Sequence, residues 1–335
     1  MIKLKAFRML GIAVAFAAFG GASMTTQAQI VKIDGSSTVF PITEAVAEEF
    51  QKSKRGAVKV TVGISGTGGG FKKFCRGEID ISDASRPITK KEMTACKAAG
   101  IEYIEMPVAY DALTVVINPK NTWAKSMTVA ELKKIWEPSA QGKISSWNQV
   151  NPAWPKAPLK LFGPGADSGT FEYFTEAINR KSKASRGDFT ASEDDNVLVQ
   201  GVSRDVNGLG YFGYAYYVEN RDKLAAVNIM PVAGKPAVAP SMETVINGTY
   251  QPLSRPIFIY VNAKSAKKPE VREFVDYYNK HADTLVREVK YVPLPQKAYV
   301  HNLEQLRDMK VGTKFGGANK VGLTIEELMK MEAKL

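Results

Sequence analysis

Three short loops concentrate the residues able to hold an anion. They are Gly35-Ser36-Ser37-Thr38, Ser65-Gly66-Thr67-Gly68-Gly69-Gly70 and Gly165-Ala166-Asp167-Ser168-Gly169-Thr170. Each follows a short β-type run and precedes apolar residues at helical spacing. A helix start carries four backbone N–H groups without intrahelical partners and a partial positive charge. Glycine lets the backbone approach a ligand closely and Ser or Thr adds a hydroxyl, so such a start suits an oxyanion. Capping alone explains any one loop, since a Ser or Thr cap contributes ~1 kcal/mol. Three in one chain, two of them glycine-dense, point to a shared oxyanion.

A fourth segment, 79–87, reads as a strand ending in the polar turn Ser82-Asp83-Ala84-Ser85-Arg86. Arg86 there can fork onto an oxyanion with two parallel hydrogen bonds, or pair at the surface with Asp83 or Glu78. Catalytic templates fit poorly. Gly63-Ile64-Ser65-Gly66 continues with Thr67, so no Gly-x-Ser-x-Gly elbow forms, and no phosphate-cradling Walker A loop is present. His281 and His301 fall late and in no triad order. The aromatic run 211–217 suits packing between lobes as well as stacking on a base or sugar.

The elements that must position these loops alternate in kind. β-type runs occur at 31–33, 58–62, 79–81, 113–117, 159–162 and 257–261. Helical spacing connects Val39, Ile42, Val46 and Phe50, then Phe171, Phe174 and Ile178, and later Val271, Phe274, Tyr277 and Tyr278. Alternation of this kind predicts α/β architecture, with mainly parallel open sheets whose loops gather at the carboxyl ends of the strands. The proline-rich stretches 151–158 and 231–240 read as surface loops.

The first residues read as an address. Lys3, Lys5 and Arg8 precede an apolar run at 9–19, and Thr26-Gln27-Ala28 offers a small-residue cleavage site before Gln29. That run is shorter than the ~20 residues a membrane-spanning helix needs. No Cys lies near the cleavage point to take a lipid anchor. Cleavage leaves 307 of the 335 residues and lowers the net charge from +11 to +8. A chain of that length is expected to form two lobes. The lysines are scattered rather than blocked, which gives no nucleic-acid stripe and only weak support for an anionic ligand. Cys75 and Cys96, the two cysteines, suit a disulfide in an oxidising compartment, with two buried free thiols as the alternative. Neither spacing nor composition predicts a metal or cofactor.

Taken in order, Asp34-Gly35-Ser36-Ser37-Thr38-Val39-Phe40-Pro41, the loop from Ser65 to Phe71, segment 80–88, Asp167-Ser168-Gly169-Thr170-Phe171, segment 208–216 and Ser254-Arg255-Pro256-Ile257 resemble the phosphate-binding proteins of ABC phosphate importers. The resemblance spans nearly the whole chain beyond the leader. It implies a type II periplasmic binding fold, two open α/β lobes around a ligand cleft. Lobe I would take 29–109 and 253–335, lobe II 110–252, and 1–28 would be the signal peptide. It also implies a monomeric periplasmic protein without a cofactor, whose partners are inorganic phosphate and membrane permease subunits. The implied phosphate contacts are Ser37, Thr38 and Val39, then Ser65, Thr67 and Gly68, then Ser85 and Arg86, and finally Asp167, Ser168, Gly169 and Thr170. Pro164 stands where many members have an arginine, and Ser85 where many have an aspartate. The pattern therefore implies Arg86 as the cation and Asp167 as the carboxylate. Sulfate is the alternative ligand. A serine-dependent phosphoester hydrolase and a binder of long polyanions are the alternatives from other classes.

Overall fold

The computed structural model describes residues 29–231 and 233–331; the expected leader at 1–28 lies outside them. The first strand, β1 (Gln29–Gly35), buries Val31 and Ile33 and runs parallel to β2 (Val58–Ile64) on one side and β3 (Ile81–Ala84) on the other. Next comes β4 (Tyr103–Ile117), a strand of 15 residues buried throughout. The short β5 (Ser126–Thr128) is followed by β6 (Lys160–Pro164), β7 (Thr190–Ser192), β8 (Gly208–Gly213), β9 (Ala225–Ala226) and β10 (Asn228–Met230). The chain then returns with β11 (Ser254–Asn262) and the short β12 (Val292–Pro293). The main sheet has the order β2-β1-β3-β11-β4-β8-β6-β7, with β9 and β12 added on β4, while β5 and β10 pair separately.

β4 changes partner in mid-strand. Residues up to Ala112 pair antiparallel with β11, and Leu113 to Ile117 pair antiparallel with β8. The sheet therefore has two halves that share this strand. The half containing β1–β3 receives β11 from the far end of the chain, and the chain crosses between halves along β4 and again just before β11.

Helices cover both halves. The helix Phe40–Ser53 buries Ile42, Val46 and Phe50, and Phe50 meets Phe274 edge-on at 5.4 Å. Phe274 lies on the helix Pro269–Glu288, where Val271, Val275 and Tyr278 are also buried and Tyr277 is partly exposed. The helices Gly66–Phe74 and Lys90–Ala98 are joined by a Cys75–Cys96 disulfide. Closing a loop of about 20 residues stabilises a fold by roughly 3 kcal/mol on a chain-entropy account.

Two strand readings needed correction. The run at 79–81 starts too early, because β3 occupies Ile81–Ala84. Asp80 instead accepts from Lys32 N at 2.9 Å and from the Ser265 hydroxyl at 2.6 Å, and the buried Ser82 and Asp83 disguise the strand that follows. The run at 113–117 is only the last third of β4. Its earlier part carries Glu105, Pro107 and Asp111, which break the apolar pattern although all of them are buried.

Candidate anion-binding site

The first loop is shaped by Gly35, at φ +143°, where an added Cβ would come 2.2 Å from the Asp83 carbonyl oxygen. Ser36 N donates to that same oxygen at 3.0 Å, and Thr38 N donates to the Ser36 hydroxyl at 3.2 Å. Val39, buried, caps the helix Phe40–Ser53 with its backbone. Two tyrosines fix the loop from outside: Tyr291 Oη donates to Thr38 O at 2.6 Å and Tyr216 Oη to Ser37 O at 3.2 Å. The Thr38 side chain is thereby aimed across the boundary between the sheet halves.

It meets the third loop there. Thr38 Oγ1 lies 2.9 Å from Thr170 Oγ1. Ser168 caps the helix Gly169–Asn179, its hydroxyl accepting from Thr170 N at 3.1 Å. The second loop and the turn after β3 complete the cluster: Thr67 Oγ1 is 3.1 Å from Ser85 Oγ and accepts from Ser85 N at 3.1 Å. Gly169 fits against both. A Cβ there would lie 2.5 Å from Ser85 Oγ and 2.6 Å from Thr67 Oγ1, so only glycine permits this approach. Gly68 N donates across the boundary to Asp167 O at 3.0 Å. The hydroxyls of Thr38, Thr67, Ser85, Ser168 and Thr170 are all buried, together with Ser37. Buried hydroxyls that both donate and accept, beside helix starts, suit an oxyanion that itself carries a proton.

Behind the cluster sits a charged pair that reasoning from sequence missed. Arg255 on β11 and Asp111 on β4 are opposite each other in the ladder and wholly buried. Arg255 donates to Asp111 Oδ2 from Nη2 at 3.0 Å and from Nε at 3.3 Å. The same guanidinium donates to Gly169 O at 2.9 Å and to Thr170 Oγ1 at 2.7 Å. Burial raises the Asp111 proton affinity, and Arg255 opposes that rise. Asp195 is near enough to feel both charges. Burial, and then Asp111, push its carboxyl up to about 7. An arginine and an aspartate inside otherwise apolar strand runs were the available signal.

Three expected contacts point elsewhere. Ser65 turns its hydroxyl to the Asp34 carboxylate, whose other oxygen pairs with Lys73 at 2.6 Å. Asp167 directs its carboxylate to Lys72 at 3.1 Å, and both side chains are largely in solvent. Arg86 is not directed at the hydroxyl cluster, contrary to the role expected for it. Its guanidinium donates to both Glu92 carboxylate oxygens at 2.8 Å and to Glu172 Oε1 at 3.0 Å, and its Nε lies 2.6 Å from Glu172 Oε2. Two carboxylates already satisfy its fork, so it serves these glutamates. Asp83 is buried under the helix Phe40–Ser53, where it accepts from the Thr43 hydroxyl at 3.1 Å. Among the described residues no group of three or more His, Cys, Asp or Glu could hold a metal ion, and no helix is long and apolar enough to cross a membrane.

Residues 21–280 match the PBP superfamily domain. The chain belongs to this family. It is 55% identical over 320 residues to the protein SphX of Synechococcus elongatus, covering 96% of this chain and 94% of that one. It is 38% identical over 282 residues to the phosphate-binding protein PstS of Staphylococcus saprophyticus, covering 83% and 85% of the two chains. Among solved structures it is similar to a putative phosphate ABC transporter substrate-binding protein with bound phosphate from Clostridium perfringens. The TM-score is 0.65 and the identity 25%, with 80% of this chain and 100% of that one covered. The two sheet halves and shared strand thus form the type II α/β architecture of this family.

Proposed function

We propose that this chain captures inorganic phosphate in the periplasm and delivers it to the permease subunits of an ABC-type importer, as a monomeric binding protein and not an enzyme. The observation that carries the reading is the meeting of the Thr38, Thr67, Ser85 and Thr170 hydroxyls at a close approach that Gly169 alone allows. The PstS relative is named for phosphate binding, and the Clostridium protein holds phosphate. Ser37, Val39, Gly68, Ser168 and Gly169 frame these four hydroxyls as phosphate contacts. The two sheet halves act as lobes, 29–109 with 253–335 and 110–252, and 1–28 acts as the cleavable leader.

Titration calorimetry on ligand-stripped protein with phosphate and sulfate tests this. Phosphate binds tightly and sulfate much more weakly, because fully ionised sulfate only accepts hydrogen bonds whereas hydrogen phosphate also donates one. Gly169→Ala loses at least about a hundredfold in phosphate affinity, or roughly 2.7 kcal/mol. Equal affinity for the two anions would remove the selectivity, and no heat with phosphate would remove the function.

A further inference from the structure

Arg86 belongs to the half of the sheet containing β3, and Glu172 to the other. They nonetheless form one of the most buried ion pairs in the molecule, with side chains 2% and 3% exposed. The rest of the surroundings is organised to hold that pair. Glu92 reciprocates with Thr89 in a capping box, its Oε2 accepting from Thr89 N at 2.8 Å and from the Thr89 hydroxyl at 2.9 Å. Fixed in this way, it presents both oxygens to Arg86. The Arg86 guanidinium also lies 5.6 Å from the centre of the Phe71 ring, on the helix that follows the second anion loop. Lys183 Nζ reaches Glu172 Oε1 at 3.2 Å and supplies the second positive charge against two carboxylates. Burial alone would weaken the proton affinity of Arg86, but Glu92 and Glu172 raise it above the ordinary arginine value, so the pair stays charged.

Glu172 stands in the first turn of the helix Gly169–Asn179, whose start carries Ser168, Gly169 and Thr170. We infer that Arg86 is a positioning residue for phosphate: by gripping Glu172 across the lobe boundary it holds the Ser168–Thr170 helix start against Thr67 and Ser85, without touching the anion. Separating the halves would break the buried Arg86–Glu172 contact, leaving Arg86 with Glu92 and Glu172 with the more exposed Lys183. Losing one partner of a buried pair is costly to the extent that the charge stays out of water. The pair therefore acts on how long the closed arrangement lasts. The hydroxyl–hydroxyl contacts of the cluster are modest hydrogen bonds, and the other charged hold across the boundary is that of Arg255 on Gly169 O and Thr170 Oγ1.

The inference rests on the phosphate reading and is tested by stopped-flow phosphate binding to wild type, Arg86→Met, Glu172→Gln and the double variant. Each single change is expected to raise the phosphate dissociation rate by about tenfold or more while the association rate stays within about twofold, and adding Arg86→Met to Glu172→Gln changes little further, as coupled sites require. Arg86→Lys, which keeps the charge, recovers part of the loss. If Arg86→Met costs as much in the Glu172→Gln background as in wild type, Arg86 acts on the anion itself and the inference falls. It falls equally if neither single change alters dissociation. Small-angle X-ray scattering of phosphate-free protein gives a second readout independent of binding. Glu172→Gln expands the particle relative to wild type, and an unchanged radius of gyration opposes the latch. Wild type that gives no phosphate signal overturns the functional reading, and the scattering comparison then decides the latch alone.

Discussion

Two unlike patches stand out where the two sheet halves meet. One is the hydroxyl cluster, where Thr38 meets Thr170 and Gly169 packs on Thr67 and Ser85. The other is the charged groove of about 830 Å³ lined by Arg86, Glu92, Glu172, Lys72, Asp167 and Lys183. The first is built mainly of hydroxyls and helix starts, with the buried Arg255 guanidinium donating to Thr170 Oγ1 from the β11 side. The second mixes apolar walls, among them Phe71 and Ala95, with ion pairs: Arg86 with Glu92 and Glu172, Lys183 with Glu172, and Lys72 with Asp167. A fixed charge beside the anion attracts any anion, whereas hydroxyls and helix starts fix where its oxygens sit and can both donate to it and accept from it. Separating recognition from holding lets each patch be tuned alone.

The largest expected effect tests the hidden charge behind the neutral patch. Arg255→Ala leaves Asp111 as an uncompensated buried carboxylate and frees both Gly169 O and the Thr170 hydroxyl. Stability falls by about 3–5 kcal/mol in urea unfolding, the range for breaking one side of a buried pair. A loss under ~1 kcal/mol, the range of exposed pairs, would erase the distinction drawn between the pair and the surface.

A second test uses pH. The Asp195 carboxyl titrates at about 7 in the folded chain, through burial and then the Asp111 charge, against the ordinary 3.8. A folded value raised above the unfolded one means stability that is present below about pH 4 and lost as pH rises toward 7, with no further loss above it. Asp195→Asn removes that slope, so the difference in unfolding free energy between variant and wild type changes by a few kcal/mol between pH 4 and 7. Parallel profiles for the two proteins would mean that Asp195 ionises normally.

The smallest effect belongs to the rim of the charged groove. Lys72 and Asp167 are 63% and 42% exposed, so Lys72→Ala costs under ~1 kcal/mol and less still at high salt. A loss as large as that from changing Arg86, in phosphate dissociation or in stability, would show that the groove works as one network and not through its buried pair.

Sequence patterning revealed the three loops because their Gly, Ser and Thr residues are local and sit where helices begin. It also revealed the alternating architecture and the Cys75–Cys96 bridge. It misplaced Arg86 because a side chain's type does not show what faces it. Its partner Glu172 lies 86 residues further on and reads in sequence as an unremarkable first-turn acid. Arg255 was visible only as part of a resembling stretch, since nothing local tells that Asp111, 144 residues earlier, stands opposite it. The first part of β4 was hidden for a related reason. Glu105 is accommodated by Tyr260 at 2.7 Å and by Lys314 N at 2.8 Å, partners from distant elements that make a polar residue acceptable in a buried strand.

The position of β11 has a consequence for assembly. It lies between β3 and β4, strands that are near neighbours in the chain but not in the sheet. A chain that becomes available from its N-terminus can pair β1, β2 and β3 early, and can add β6 and β8 to the far part of β4. The centre of the sheet, however, must wait until Ser254–Asn262 arrives. Until then β3 and the first part of β4 each expose an unpaired edge, the kind of template that recruits foreign strands. The last quarter of the chain is thus the piece that closes the fold, and loss of residues beyond 253 would leave two edges open and not merely a shorter protein.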